Sequence, residues 1–145
     1  MSNHAEILLC EDNSSDADLT IRALKGKNPS ANIQWVKNGE EAMDYLLARG
    51  SFEKRPIEYK PKVILLDLKM PKVDGLEVLK EIRNHPETKT IPVVILTSSN
   101  EKRDIKSSYE YGANSYIVKP VDSQKFLDSV AELSSYWLSL NKPGY

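Results

Sequence analysis

The chain has 145 residues, 20 Lys and Arg against 21 Asp and Glu, and a formal net charge of −1. That length suits one domain, residues 1–145 with a core of about 5–140, and the near-neutral charge gives no case for nucleic acid or an anionic membrane as partner. The single cysteine, Cys10, excludes an internal disulfide and any zinc-type cysteine spacing, and it suits a reducing cytosol.

In chain order, five short apolar runs alternate with amphipathic segments. The N-terminus, M-S-N-H-A-E, has no basic segment backed by an apolar core, so no signal peptide is expected, and no apolar run reaches membrane-spanning length. His4 sits in this polar start and reads as a solvated residue. The first run, Ala5 to Cys10, is a strand with Cys10 as a buried small hydrophobe. S-S-D-A-D-L-T-I-R-A-L-K-G-K opens with capping residues and carries Ala17, Ile21 and Leu24 on one helical stripe. Asn32 to Lys37 alternates as a strand, and N-G-E-E-A-M-D-Y-L-L-A-R follows as a helix. Gly50 to Pro61 is a long connection with basic, aromatic and proline residues. It reads as a surface loop, with partner contact as the other reading.

Val63 to Leu66 is an aliphatic run that fits a strand buried on both faces. The next helix, near Val73 to Asn84, buries Leu76, Leu79 and Ile82 or their neighbours. I-P-V-V-I-L-T and S-Y-I-V-K are the fourth and fifth strands. The polar segment E-K-R-D-I-K-S-S-Y-E-Y-G between them has few apolar residues to anchor it. The last helix, about Asp122 to Leu140, carries Phe126, Val130, Leu133 and Trp137. Strand and helix alternating five times imply an α/β fold, a doubly wound five-stranded parallel sheet.

In such sheets, functional groups gather beyond the carboxyl ends of the strands. Those ends carry Glu11-Asp12, Asp67, Thr97-Ser98 and Lys119. Two carboxylates about 5 Å apart repel by roughly 3 kcal/mol at an effective dielectric near 20. A hard divalent cation, Mg²⁺ or Mn²⁺, relieves that repulsion and leaves positions for phosphate oxygens. Lys119 adds positive charge, Thr97 a hydroxyl, and an aspartate can attack phosphorus to form an acyl phosphate. Each residue has a plainer role. Glu11-Asp12 would cap a helix, Lys119 would face solvent at a turn, and Thr97 would be a β-branched strand end. Four such residues at one sheet edge favour the chemical role.

With those residues in place, the chain resembles the receiver domain of two-component response regulators, from Ile7 to about Leu140. D-L-K-M-P-K-V-D-G carries the likeness, joined by E-D after the first strand, T-S after the fourth and K-P after the fifth. The resemblance implies a flavodoxin-like (CheY-like) fold and Asp67 as phosphoacceptor, while the cysteine usage fits a cytoplasmic location. It implies metal ligation by Glu11, Asp12, Asp67 and the backbone carbonyl of Lys69, with Thr97 and Lys119 holding phosphoryl oxygens. It also implies a switch in which Thr97 moves toward the phosphoryl group and Tyr116 swings inward, with Glu101 to Tyr111 as the moving part. A cis peptide bond at Lys119-Pro120 belongs to the same pattern.

The long Gly50–Pro61 loop and the tail S-S-Y-W-L-S-L-N-K-P resemble the small receivers paired with cyanobacterial phytochromes. A phytochrome-type histidine kinase is then the expected donor. Homodimers are expected too, with Tyr136, Trp137 and Leu140 as candidates for the dimer face. Their other role is packing of the last helix on the sheet.

Three rival readings differ in named features. A Mg²⁺-dependent aspartyl-nucleophile phosphatase needs a second acid near the nucleophile, whereas Leu68 and Lys69 follow Asp67. A flavodoxin needs a hydroxyl- and glycine-rich phosphate loop, but E-D-N-S-S-D would repel phosphate. A receiver-like interaction module that is never phosphorylated would not need the full set of acids, threonine and lysine.

Overall fold

The computed structural model describes residues 4–70, 74–120 and 123–145. Val73 and Asp122, expected near the starts of the third and fifth helices, lie outside the described residues. The strands are β1 (Ile7–Cys10), β2 (Ile33–Val36), β3 (Val63–Leu66), β4 (Val93–Thr97) and β5 (Ser115–Val118). The helices are α1 (Ser14–Leu24), α2 (Gly39–Leu46), α3 (Gly75–Asn84), α4 (Lys102–Glu110) and α5 (Gln124–Ser135).

All strand pairs are parallel, in the order β2-β1-β3-β4-β5. This is the expected doubly wound sheet. The middle strands β1, β3 and β4 are buried throughout, as their unbroken aliphatic runs require. One face packs Leu8, Ile64, Leu66 and Ile95 with Met43, Leu46, Leu79 and Ile82. The other packs Ile7, Leu9, Leu65, Val94 and Leu96 with Ala17, Leu24, Phe126 and Val130.

The helix stripes hold with small shifts. In α1 Ala17 and Leu24 are buried together with Thr20, while Ile21 is only partly covered. In α3 Val78 takes the full burial expected of Leu76. The last helix changes character near its end: α5 stops at Ser135, and a π-helical turn covers Tyr136–Leu140.

The Gly50–Pro61 connection is a surface loop with an internal organiser. It opens with a 3-10 turn, Gly50–Phe52. The Arg55 guanidinium donates to the carbonyls of Tyr45, Leu46, Pro56 and Tyr59. It also stacks on the Tyr45 ring at 4.2 Å, and Phe52 meets that ring edge-on. One arginine thus satisfies carbonyls at the end of α2 and folds the loop back on them.

Candidate functional site

Strand register builds the site. Cys10 pairs with Leu66 across β1 and β3, so the residues that follow, Glu11 and Asp67, are neighbours. Backbone hydrogen bonds continue one residue past the strands. The Asp67 amide donates to the Cys10 carbonyl at 3.1 Å, that of Glu11 to Val36 at 3.0 Å, and that of Lys119 to Thr97 at 2.9 Å. Each chemical side chain therefore leaves from backbone as fixed as the sheet itself.

Gly75 completes the hold on Asp67. A Cβ there would lie 2.5 Å from the Asp67 carbonyl oxygen and 2.6 Å from the Leu68 Cα. The α3 N-terminus therefore rests directly on the backbone after Asp67, and only glycine permits that approach. The Gly75 amide donates to the Leu68 carbonyl, and the Asp74 side chain caps α3 at the Leu76 amide.

Glu11, Asp12 and Asp67 each offer a carboxylate oxygen, all within 4.8 Å of one another. Glu11 and Asp67 are buried, while Asp12 is exposed. An all-oxygen donor set of three acids suits a hard divalent cation. Burial pushes the Glu11 carboxyl up to about 7, against the pull of the Lys119 hydrogen bond, and Asp67 adds to the push.

Lys119 is buried among these acids. Its ammonium donates to Glu11 at 2.5 Å, to Asp16 at 3.1 Å and to Asp67 at 3.5 Å. Burial works against its charge, but the Glu11 bond and the Asp67 and Asp16 carboxylates outweigh it, and its pKa is raised. The ammonium is thus a fixed positive charge at neutral pH.

Thr97 is fully buried, and its hydroxyl accepts from the Ser99 amide at 3.5 Å. Tyr116 on β5 is partly buried, and its hydroxyl donates to the Ser99 carbonyl at 2.9 Å. The Lys69 amide donates to Asp67 Oδ1 at 3.1 Å, while its ammonium lies 3.4 Å from Asp104. The Ser99 hydroxyl donates to that same Asp104 carboxylate. So the structure brings Glu11, Asp12, Asp67 and Lys119 together, with Thr97 and Tyr116 joined to them through the loop after β4.

One expectation is corrected. Among the described residues no peptide bond is cis, so the Lys119-Pro120 bond is trans. Trans is the intrinsically favoured form of an X-Pro bond, by about 0.5–1 kcal/mol.

The tail residues divide. Tyr136 and Leu140 are exposed, while Trp137 is partly buried against the α1–α5 face of the sheet. Cys10 is buried, as expected, and its thiol contacts the Met70 sulfur at 3.6 Å. Burial raises the thiol pKa, and Glu11 and Asp67 raise it further, so it stays a neutral packing group.

Sequence reasoning missed three residues. Asp16 reads as an N-terminal acid of α1, yet it reaches Lys119. Ser99 lies in the loop after β4, and Asp104 lies in the segment that looked poorly anchored, yet Asp104 and Ser108 are the buried face of α4. The Ser108 hydroxyl donates to the Asp104 carbonyl, which closes that polar face on itself. Spacing was a usable signal: Asp104 and Ser108 stand four residues apart, one turn of a helix.

Comparison with known proteins agrees with this geometry. The model of the response regulator receiver domain matches residues 7–131. The probable methanogenesis regulatory protein FilR2 of Methanothrix harundinacea is 39% identical over 140 residues, 95% of this chain and 87% of that protein. Response regulator Rcp1 of Synechocystis sp. is 39% identical over 132 residues, 91% of this chain and 88% of that one. The Mn²⁺-bound structure of Rcp1 superposes with a TM-score of 0.81 at 36% identity, covering 96% of this chain and 98% of that one. The phosphorylated cyanobacterial phytochrome response regulator RcpA superposes with a TM-score of 0.88 at 37% identity, covering 98% and 99%. From the strand-end acids, the lysine among them and these matches, the chain belongs to the response regulator receiver domain family.

Proposed function

We propose that Asp67 is the phosphoacceptor of a receiver that acts as one domain, residues 1–145, in the cytoplasm. The observation that carries this reading is the Lys119 ammonium set against Glu11 and Asp67, two of the three acids whose oxygens converge. A cation lodged among rigid strand-end acids is suited to gather a transferring phosphoryl group.

Glu11, Asp12, Asp67 and the backbone carbonyl of Lys69 would hold Mg²⁺ or Mn²⁺. When bound, the cation supplies positive charge to the acids and to the phosphoryl oxygens. An Asp67 carboxylate oxygen attacks phosphorus. The bond from phosphorus to the donor nitrogen of a phosphohistidine breaks, and the imidazole leaves with that electron pair and takes a proton. Lys119 and Thr97 then hold phosphoryl oxygens. Hydrolysis reverses the state when water attacks phosphorus and the Asp67 carboxylate leaves.

The donor we propose is a histidine kinase of the phytochrome type. The support is the likeness to RcpA and Rcp1, joined by the Arg55-centred loop and the aromatic tail. Output runs through protein contacts of α4, β5 and α5, with Tyr116 and the loop after β4 as the moving part. Homodimers form through Tyr136, Trp137 and Leu140, with neither nucleic acid nor membrane as partner. Among the described residues, no helix is long and apolar enough to cross a membrane.

The test is intact mass after incubation with acetyl phosphate and Mg²⁺. One phosphoryl group on the wild type and none on Asp67→Asn is the expected result. A phosphoryl group retained by Asp67→Asn, or wild-type labelling that ignores removal of Mg²⁺, overturns the assignment.

A further inference from the structure

The Lys119 ammonium is shared, and unevenly. Glu11 holds it at 2.5 Å, Asp16 at 3.1 Å, and Asp67, the acid it would serve in phosphoryl transfer, at 3.5 Å. Asp16 stands apart from the Glu11, Asp12 and Asp67 oxygen cluster. It comes from the first turn of α1, where its amide donates to the Asn13 side chain at 2.9 Å. Its carboxylate is 29% exposed, while the ammonium it faces is 6% exposed.

The charges then divide. A divalent cation held by Glu11, Asp12 and Asp67 would offset two of their three negative charges. The Asp16 carboxylate keeps its whole charge and stays turned to the lysine. A lysine head is a compact point charge on a flexible stem, free to move between nearby anions. It would therefore lean toward Asp16 until a stronger anion appears beside Asp67.

We propose that Asp16 is a positioning residue of the phosphoryl-transfer site. It is a counter-ion that holds Lys119 toward α1 and thereby slows phosphorylation of Asp67. The inference rests on the reading of Asp67 as phosphoacceptor. Lys119 must loosen from Asp16 as the transferring group arrives, and that loosening adds to the barrier. Once formed, the phosphoryl group carries about −1.5 to −2 charge and outcompetes one carboxylate.

The test follows phosphorylation of the full chain by acetyl phosphate with Mg²⁺. Asp16→Asn raises the limiting rate about twofold to fivefold, the scale set by one partly exposed ion pair, and leaves half-saturation by the donor nearly unchanged. Asp16→Glu restores the wild-type rate. Asp18→Asn removes an equal charge from the same helix, but Asp18 pairs with Arg22 at 2.9 Å, so its rate matches wild type. With Trp137→Phe added to every variant, so that Trp35 is the one remaining indole, fluorescence follows the metal, because the Trp35 N–H donates to the Glu11 carbonyl at 2.7 Å, and Mg²⁺ affinity stays within about twofold across the variants. A second readout needs no donor. In ¹⁵N-lysine-labelled, metal-free protein the Lys119 ammonium signal moves in Asp16→Asn and not in Asp18→Asn.

Three results would overturn the proposal: an Asp16→Asn rate at or below wild type, an equal gain in Asp18→Asn, or an unmoved Lys119 signal. Wild type that takes no phosphoryl group removes the Asp67 reading and the kinetic role with it. The ammonium signal shows separately whether the Lys119–Asp16 pair exists.

Discussion

The Lys69 ammonium lies 3.4 Å from the Asp104 carboxylate, which ties the loop after β3 to the first turn of α4. Ser99 donates to the same carboxylate, and the Tyr116 hydroxyl donates to the Ser99 carbonyl. One chain of contacts thus runs from the loop after β3 through α4 to β5. The Lys69 amide also bonds Asp67 directly, so the residue touches Asp67 at one end and the latch at the other.

Lys69→Ala is expected to shorten the life of the phosphorylated state. The long side chain crosses from the loop after β3 to the first turn of α4, beside Asp67, and its removal admits water. Decay of phosphorylated wild type and variant, followed by intact mass, should differ at least about twofold, well within what one exposed ion pair and its stem supply. Equal decay rates would discard the role.

Asp104 gives this latch a pH dependence of known sign. The Ser99 hydrogen bond lowers the Asp104 pKa below its ordinary 3.8, with Lys69 and Arg103 also lowering it. An acid depressed in the folded state contributes stability above its unfolded pKa, and loses that contribution as pH falls through the folded value. The latch is therefore whole at neutral pH and opens in acid, below about pH 4. Urea unfolding of wild type and Asp104→Asn should converge as pH falls through that window, and a constant gap down to pH 2 would remove Asp104 as the cause.

Metal removal should destabilise the fold. A ligand that binds only the native state adds about 2.7 kcal/mol at 100 times its Kd. Mg²⁺ in that excess should raise the urea midpoint of wild type, and chelation should reverse the rise. Asp12→Ala should abolish the response at little structural cost, because Asp12 is the exposed member of the acid cluster. A full Mg²⁺ response in that variant would place the cation elsewhere.

Gly75→Ala should damage the site through the backbone. The added Cβ meets the Asp67 carbonyl oxygen and the Leu68 Cα at distances no packed atoms tolerate. Relief requires α3 or the acceptor loop to move, at a cost of about 1–3 kcal/mol. Both thermal stability and acetyl phosphate labelling should fall. Loss of stability with full labelling would show that the loop, and not the helix, stays in place.

The sheet and the gathering of acids and lysine at the strand ends were legible because they follow from two strong signals. Unbroken aliphatic runs such as Val63–Leu66 mark buried parallel strands, and a charge placed directly after such a run has few structural uses. The α4 segment offered only the Asp104–Ser108 spacing, for the opposite reason. Its buried residues, Asp104 and Ser108, are polar, so no apolar stripe announces them. Asp16 was hidden because its local duty, an acid in the first turn of a helix, already accounts for it. The role of Arg55 was hidden because its partners are carbonyls, which any sequence supplies.

The pairing of Cys10 with Leu66 has a consequence for how this site can vary. The distance between the acids after β1 and β3 is fixed by counting residues along two adjacent strands, with no side chain acting as the ruler. A substitution in either strand leaves that spacing intact, whereas one inserted residue turns the following acid to the opposite face of the sheet. The site is therefore tolerant of exchange and intolerant of length. Chimaeras of this chain should keep their carboxylate spacing when strands are swapped whole, and lose it when a junction adds or drops a single position.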